Sequence, residues 1–221
     1  MDISPLYLSL KLSLTTTILL ILIASPVVYS LVFIKIPGKT FLDALINLPI
    51  VLPPTVIGFF MLIMMGPHGI GNLWERVTGS QLLFSFTGLV IASIIYNLPF
   101  AVAPMRAAFS RIDPRLIENA QVLGLSQYSV FFRVILPNSI LGIAASSILV
   151  FLHTIGEFGV IFMIGGSIPG STKVASIAIY EAVENMKYHD AWMMSLVLIP
   201  VSYIFLLTIN YLNRGSRNYE P

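Results

Sequence analysis

The stretch IENAQVLGLSQYSVFFRVILPNS, residues 117–139, decides the fold because it is a polar segment between long apolar ones. It follows Asp113, a favourable helix N-cap, and Pro114, a residue type favoured at the first helical position. Gly124 then interrupts the helical pattern, and Ser126 can begin a second short helix. The sequence therefore predicts two short helices joined by a bend.

The same stretch carries more apolar side chains than a solvated loop needs. Val122, Leu125 and Val130 are followed by two adjacent phenylalanines, Phe131 and Phe132. An exposed apolar patch of this kind indicates a binding partner. The alternative is a pair of amphipathic helices lying on lipid headgroups, and the pattern alone leaves both open.

The composition of the whole chain is that of a membrane protein. Of its 221 residues, 57% are hydrophobic and 10% are charged, whereas soluble domains carry about 25% charged residues. The mean hydropathy is +0.90, and a soluble core of this length could not bury so much apolar surface. The net charge of +2 is too small to indicate nucleic-acid binding. The absence of cysteine excludes disulfides and thiolate metal sites.

Five segments are long and apolar enough to cross a bilayer, which takes roughly 20 residues each. A backbone in lipid must satisfy its own hydrogen bonds, so all five are predicted to be helices. The chain, residues 1–221, is therefore predicted to be a single all-α membrane domain with a polar insert at about 110–133, between the third and fourth spans. The predicted spans cover about 6–34, 41–65, 82–109, 134–163 and 191–213.

Lysines and arginines are distributed unequally between the two ends of these spans. Eight lie in the first connection, in the third connection and in the tail with Arg214 and Arg217, and four lie at the other ends. Cytoplasmic connections carry the excess of basic residues. The bias predicts a multi-pass protein of the cell membrane with its N-terminus outside. The polar insert and the C-terminus are then cytoplasmic.

The polar insert resembles the EAA signature of ABC importer permeases. That signature has Glu-Ala-Ala, then Gly after three residues, then Ile after nine more, followed after one residue by Leu-Pro. This chain keeps the spacing and departs from the pattern at Asn119, where the signature has Ala, and at Val134, where it has Ile. The matching residues are Glu118, Asn119, Ala120, Gly124, Val134, Leu136 and Pro137.

This resemblance implies a type I ABC importer permease fold, in which the insert is a coupling helix that docks into a cleft of an ATPase subunit. It implies as partners a second copy of the chain, two cytoplasmic ATP-binding cassette subunits and an external binding protein. ATP and magnesium would be bound by the ATPase, and this chain would hold no cofactor. The residues implied to carry the coupling are Glu118, Ala120, Leu123, Gly124 and Leu125.

Three further motifs are similar to the molybdate and sulfate branch of that family. They are KIPGKTFLDALINLPIVLPPTVIGFFML at residues 35–62, GEFG at 156–159 and IPGSTK at 168–173. The last two look most like molybdate permease subunits. The resemblance therefore implies a tetrahedral oxyanion as cargo, molybdate or tungstate first, with sulfate as the alternative. Selection among these anions would rest mainly with the external binding protein.

Glu157 is the most conspicuous polar residue within the apolar segments. A carboxylate in a span costs about 2.5–3.5 kcal/mol on insertion scales, so it should face the bundle interior or water. His153 lies four residues earlier and could hydrogen-bond to it. Gly156 and Gly159 allow a break or close packing at this point. The group is predicted either to form a gate or to be a buried hydrogen bond that fixes helix packing.

Two prolines, Pro53 and Pro54, lie inside the second predicted span. Proline removes a backbone donor and kinks a membrane helix unless its neighbours compensate. A kink lining the transport pathway and a simple helix-entry turn both remain open here.

Catalytic motifs are missing from the chain. The segment GPHGIGN at residues 66–72 is rich in glycine but lacks the Gly-Lys-Ser/Thr of a P-loop, and three scattered histidines form no metal triad. The chain is therefore predicted not to be an enzyme, with no catalytic, cofactor-binding or metal-ligating residues. An ion-coupled carrier working alone would need an inverted repeat or an ion site at mid-membrane, and the sequence indicates neither.

Overall fold

A computed structural model describes residues 2–217 of the chain, with side chains described as far as residue 208. Within this part all regular structure is helical, in twelve α-helical segments and one π-helical turn, Phe131–Ile135. The side chains of Arg214 and Arg217, used above for the orientation, lie outside the described residues. The α-helices are α1 Ser4–Phe33, α2 Lys39–Val51, α3 Pro54–Met65, α4 Ile70–Thr78, α5 Phe86–Phe109, α6 Pro114–Val122, α7 Gln127–Val130, α8 Leu136–Asn138, α9 Ile140–Gly156, α10 Gly159–Gly165, α11 Ala175–Glu184 and α12 Tyr188–Arg217.

By length and composition, three helices in the described part could each cross a membrane alone: α1, α5 and α12 as far as Thr208. Two bent helix pairs raise the number to as many as five if each pair is counted as one span. The first pair is α2 with α3, and the second is residues 127–138 with α9. The expected all-α fold is therefore present, but two of its expected spans are not continuous helices.

The span expected over residues 41–65 is divided at Pro53. α2 and α3 meet at 114°, so the expected kink is a complete break. The cause is local: Pro53 has an extended backbone (φ −56°, ψ 140°) and Pro54 occupies the first position of α3. Neither proline has an N–H with which to continue the hydrogen bonding of α2, and a residue before proline avoids the helical conformation.

The segment expected as one span over residues 134–163 is divided twice. Residues 127–138 and α9 are bent by 75° at Ser139. Pro137 lies two residues before this bend and lacks the N–H that would bond the carbonyl of Arg133. α9 then ends at Gly156, and α10 begins only at Gly159. The second division falls on Glu157.

Helices α1, α5 and α9 form the centre of the bundle. One part of the core packs α3 and α10 against the first half of α5, through residues such as Met61, Ile164 and Leu89. The other part packs α1, the second half of α5 and the polar insert together, around Phe109. Because α5 belongs to both parts, it carries the contacts between the insert and the break at Glu157.

The polar insert is held firmly against the bundle. Ala120, at the end of α6, and Val130, at the end of α7, are buried beside Phe109. The ring of Tyr29 on α1 meets that of Phe131 edge-on, with centroids 5.4 Å apart. The two short helices expected here are therefore present, and their buried face is fixed by α1 and α5.

We expect Gly142→Ala to destabilise the protein by about 1–3 kcal/mol, the usual cost of overpacking. Gly142 allows α9 to approach α5 closely, because a Cβ atom there would lie 2.2 Å from the Cβ of Ala108. Thermal unfolding of the purified protein in detergent measures the change. Gly156→Ala on the same helix is the control, since its Cβ would meet nothing within 4 Å. Adding Ala108→Gly to Gly142→Ala should restore stability, and no restoration would contradict the contact as the cause.

Candidate functional site

Glu157 stands at the break between α9 and α10, with an extended backbone (φ −72°, ψ 134°). Its N–H donates a hydrogen bond of 3.3 Å to the carbonyl of Thr154. Its own carbonyl accepts a hydrogen bond of 2.6 Å from the Ser176 hydroxyl of α11. The residue is 6% exposed. Both backbone polar groups of this buried break are thus paired inside the protein.

The Glu157 side chain reaches α5 rather than His153. The Asn97 amide nitrogen lies 3.5 Å from Glu157 Oε2, and the Asn97 amide oxygen lies 2.8 Å from His153 Nδ1. The direct hydrogen bond expected between His153 and Glu157 is therefore wrong, because α9 ends at Gly156 and Glu157 leaves the helical face on which His153 lies. Asn97 stands between the two side chains.

Sequence reasoning missed Asn97, although a signal was present. Ser93 and Asn97 are polar residues four apart in the apolar run of α5, and both are fully buried. That spacing places them on one helical face, and a polar residue inside a span usually faces the bundle interior. We call Ser93, Asn97, His153 and Glu157 the polar cluster.

The polar cluster borders a cavity of about 370 Å³. Five of the six residues expected in the pathway or gate line it, while Pro53 stands beside it at the α2–α3 break. The structure therefore brings the break at Pro53 and the break at Glu157 to one place. The lining residues are Pro54, Tyr96, Leu152, His153, Gly156, Glu157, Phe158 and Gly159.

The two glycines beside Glu157 have different roles. A Cβ atom on Gly159 would lie 2.8 Å from the Cβ of Pro54, so glycine is needed where α10 approaches the start of α3. A Cβ on Gly156 would meet nothing within 4 Å, so the space beside it belongs to the cavity. Gly159 thus sets the packing, and Gly156 leaves the cavity wide.

Two aromatic rings of α5 pack against His153. Its ring stacks on Phe100 with a centroid distance of 4.0 Å and an angle of 27°, and the Tyr96 ring is 5.3 Å away. All three residues belong to the wall between α5 and α9. This packing leaves the imidazole little freedom to turn away from Asn97.

Helix α11 and the loop before it support the break from the side of Ser176. The Thr172 hydroxyl donates to the Gly165 carbonyl at 2.7 Å and closes the loop of residues 166–174. Lys173 forms an ion pair with Glu181, and this ammonium group, with a smaller contribution from Ser167, lowers the pKa of the Glu181 carboxyl. The charge of Lys173 is therefore already paired with a carboxylate of α11.

The residues expected to contact an ATPase lie together at the turn between α6 and α7. Glu118 is exposed, Leu123 is 79% exposed and Leu125 is half-buried. Gly124 has φ +83°, a left-handed conformation that favours glycine. Ala120 is buried beneath them, and its carbonyl accepts from the Leu125 N–H at 3.1 Å. The turn therefore presents an apolar, protruding surface on a fixed base.

Comparison with known families agrees with this architecture. Residues 18–218 match the family described as "Binding-protein-dependent transport system inner membrane component". The chain belongs to this family. It is thus a membrane component of a transport system, and the resemblance noted in the polar insert is confirmed.

Several relatives of the chain carry named functions. "Molybdenum transport system permease protein ModB" of Azotobacter vinelandii is 39% identical over 209 residues, covering 94% of this chain and 92% of that protein. The protein of the same name from Escherichia coli strain K12 is 34% identical over 183 residues, covering 82% of this chain and 80% of that protein. "Sulfate transport system permease protein CysT" of Synechocystis is 31% identical over 193 residues, covering 87% of this chain and 68% of that protein.

Solved structures share the fold at lower identity. A bacterial alginate ABC transporter in complex with an alginate pentasaccharide-bound periplasmic protein aligns with a TM-score of 0.69 and 20% identity, over 96% of this chain and 79% of that chain. A bacterial ABC transporter involved in alginate import aligns with a TM-score of 0.63 and 17% identity, over 97% of this chain and 80% of that chain. These alignments show that the chain shares its fold with a chain of each of these ABC transporters.

We expect Glu157→Gln and Glu157→Leu to differ sharply. Glutamine keeps an oxygen that can accept from Asn97, so this variant should retain substantial transport. Leucine removes the acceptor from a buried donor, at about 1–3 kcal/mol, and should destabilise the protein or uncouple transport. Thermal stability and substrate uptake of the reconstituted transporter measure both effects. Loss of uptake in the Gln variant with uptake preserved in the Leu variant would contradict a hydrogen-bonding role.

Proposed function

We propose that the chain is the permease subunit of an ATP-driven importer that carries molybdate across the cell membrane. The observation that supports this most directly is the 39% identity to a molybdenum transport permease over nearly the full length of both chains. The sulfate permease relative is less similar and is matched over a smaller share of its length. Tungstate, a tetrahedral dianion of nearly the same size, is expected to share the pathway.

The proposed energy source is a pair of ATP-binding cassette subunits that dock on the polar insert. The turn formed by Leu123 and Gly124 protrudes and is apolar, while Val122 beside it is 86% exposed. Such a surface needs a protein partner to remove it from water. Glu118, Ala120 and Leu125 supply the charged rim and the fixed base of this docking site. ATP and magnesium belong to the ATPase in this proposal, and this chain binds neither.

The proposed second permease subunit is another copy of the chain. The cavity beside the polar cluster is bordered by Pro54 and Gly156, which are exposed in the single chain. Polar groups at membrane depth should face protein or water rather than lipid. A second copy packed over this face would enclose the pathway, with Glu157 and His153 at its gate.

The proposed orientation follows from the charge bias of the connections. The N-terminus and α11 then lie outside, and the polar insert and the C-terminus lie in the cytoplasm. α11 would face an external oxyanion-binding protein, which delivers the cargo. In this orientation the transporter has a docking surface near each end of α9, the polar insert on the inside and α11 on the outside. The break at Glu157 is nearer to α11.

Uptake into proteoliposomes tests the function. The permease is reconstituted with its ATPase subunit and its binding protein, and molybdate, tungstate and sulfate are offered separately with and without ATP. We expect ATP-dependent uptake of molybdate and tungstate and much weaker uptake of sulfate. Preferred uptake of sulfate would assign the chain to sulfate transport. Uptake driven by an ion gradient without the ATPase would contradict the proposal and favour an ion-coupled carrier.

We expect Glu118→Lys and Gly124→Trp to weaken ATPase docking by roughly tenfold or more, as at interface hot spots. Lysine reverses a charge on the docking surface, and tryptophan crowds it. Co-purification of the ATPase and the ATP hydrolysis of the assembled transporter measure the effect. Both variants should still reach the membrane, because neither residue belongs to the buried core.

The matched control for the glycine variant is Gly79→Trp. Gly79 also has a left-handed backbone (φ +71°) and open space around it, so its substitution carries similar strain. It precedes α5, whereas the polar insert follows α5, at a distance of roughly 36 Å along the helix. If Gly124→Trp assembles and hydrolyses ATP as well as Gly79→Trp does, the docking site has been placed wrongly.

A further inference from the structure

The side-chain amide of Asn97 is fully buried and makes three polar contacts. Its nitrogen Nδ2 lies 2.8 Å from the Ser93 carbonyl and 3.5 Å from Glu157 Oε2. Its oxygen Oδ1 lies 2.8 Å from His153 Nδ1. The amide therefore joins α5 both to the end of α9 and to the residue at the break.

These contacts allow only one orientation of the Asn97 amide. A backbone carbonyl oxygen can only accept hydrogen bonds, so the atom facing the Ser93 carbonyl must be the NH₂ group. The atom facing His153 is then the amide oxygen, which can also only accept. His153 must therefore carry a proton on Nδ1. In the neutral ring, Nε2 is consequently left without a proton.

We propose that Asn97 is the positioning residue of the gate: its amide holds His153 in the Nδ1–H form and ties the carboxyl of Glu157 to α5. The proposal rests on the gate role assigned to Glu157 above. In this proposal, Asn97 does not contact the cargo. It acts through His153 and Glu157, both of which line the cavity.

The position of Asn97 explains why such a tie matters for transport. α9 runs as one helix from the bend after the polar insert to Gly156, so a movement of the docked insert is carried along α9. His153 lies in its last turn, and Glu157 directly follows its end. A shift of α9 along α5 would separate both side chains from Asn97. The amide thus resists the displacement that opens the break, and its hydrogen bonds must exchange when the gate moves.

The protonation pattern of His153 gives a test that does not depend on the cargo. The permease, purified with its ATPase subunit, is labelled with ¹⁵N-histidine, and the His153 signal is assigned by its loss in His153→Gln. We expect the parent and Asn97→Asp to show the Nδ1–H form, because an amide oxygen and a carboxylate both accept from Nδ1. Asn97→Ala should lose this preference. A parent protein with the proton on Nε2 would overturn the proposal.

A donor–acceptor exchange tests the tie to Glu157. Asn97→Asp alone removes the NH₂ donor and places two carboxyl groups together, so the oxyanion transported per ATP hydrolysed should fall by roughly tenfold, as expected when a buried polar group loses its partner. Adding Glu157→Gln supplies an NH₂ group that can donate to the carboxylate introduced by Asn97→Asp. The double variant should recover part of the transport and of the thermal stability that Asn97→Asp loses, because the bond to Glu157 is restored while the bond to the Ser93 carbonyl is not. Adding Glu157→Gln to Asn97→Ala should recover neither.

The outcomes separate this inference from the proposed function. Recovery in the double variant together with the Nδ1–H signal supports the tie. Absence of recovery in a protein that still assembles with its ATPase overturns the tie, even when the parent transports molybdate. The parent could also show the expected ¹⁵N signal but transport no oxyanion. If the double variant then recovers thermal stability, the tie is supported and the proposed function is overturned.

Discussion

A backbone that leaves its helix inside a membrane must have its freed polar groups bonded within the protein. The break at Glu157 meets this requirement through the Thr154 carbonyl on one side and the Ser176 hydroxyl on the other. The rest of the bundle is arranged around this solution. α11 has to lie where Ser176 can donate, α5 has to bring Asn97 to the side chain, and α3 has to begin beside Gly159.

The two helices that meet at the polar cluster, α5 and α9, lie in segments of different regularity. α5 belongs to both halves of the core, and the Arg106 guanidinium on α5 holds α2 through both carboxylate oxygens of Asp43, at 2.6 and 3.2 Å. The segment from the polar insert to Gly156 instead contains a π-helical turn and a 75° bend. π-helical turns often mark functional sites, and here one lies between the α6–α7 turn and α9.

The family assignment and the fold rest on two separate comparisons. Relatives named for molybdenum transport match over most of the length of this chain. The solved ABC transporters share only about a fifth of their residues with this chain or fewer, yet align over nearly all of it. The fold therefore persists at low sequence identity.

The sequence by itself determined the membrane environment, the all-helical class and the family, because each depends on residues close together in the chain. Hydropathy identified the apolar segments, Pro53 and Pro54 indicated either a kink or a helix-entry turn, and the spacing from Glu118 to Pro137 indicated the family. The tertiary structure decided how the polar cluster is connected. Asn97 lies 56 residues from His153 and 60 from Glu157, so only the packing of α5 against α9 brings them together. The sequence placed His153 one helical turn before Glu157 and suggested a direct bond, but the end of α9 at Gly156 turns the carboxyl toward α5, where Asn97 is its hydrogen-bond donor.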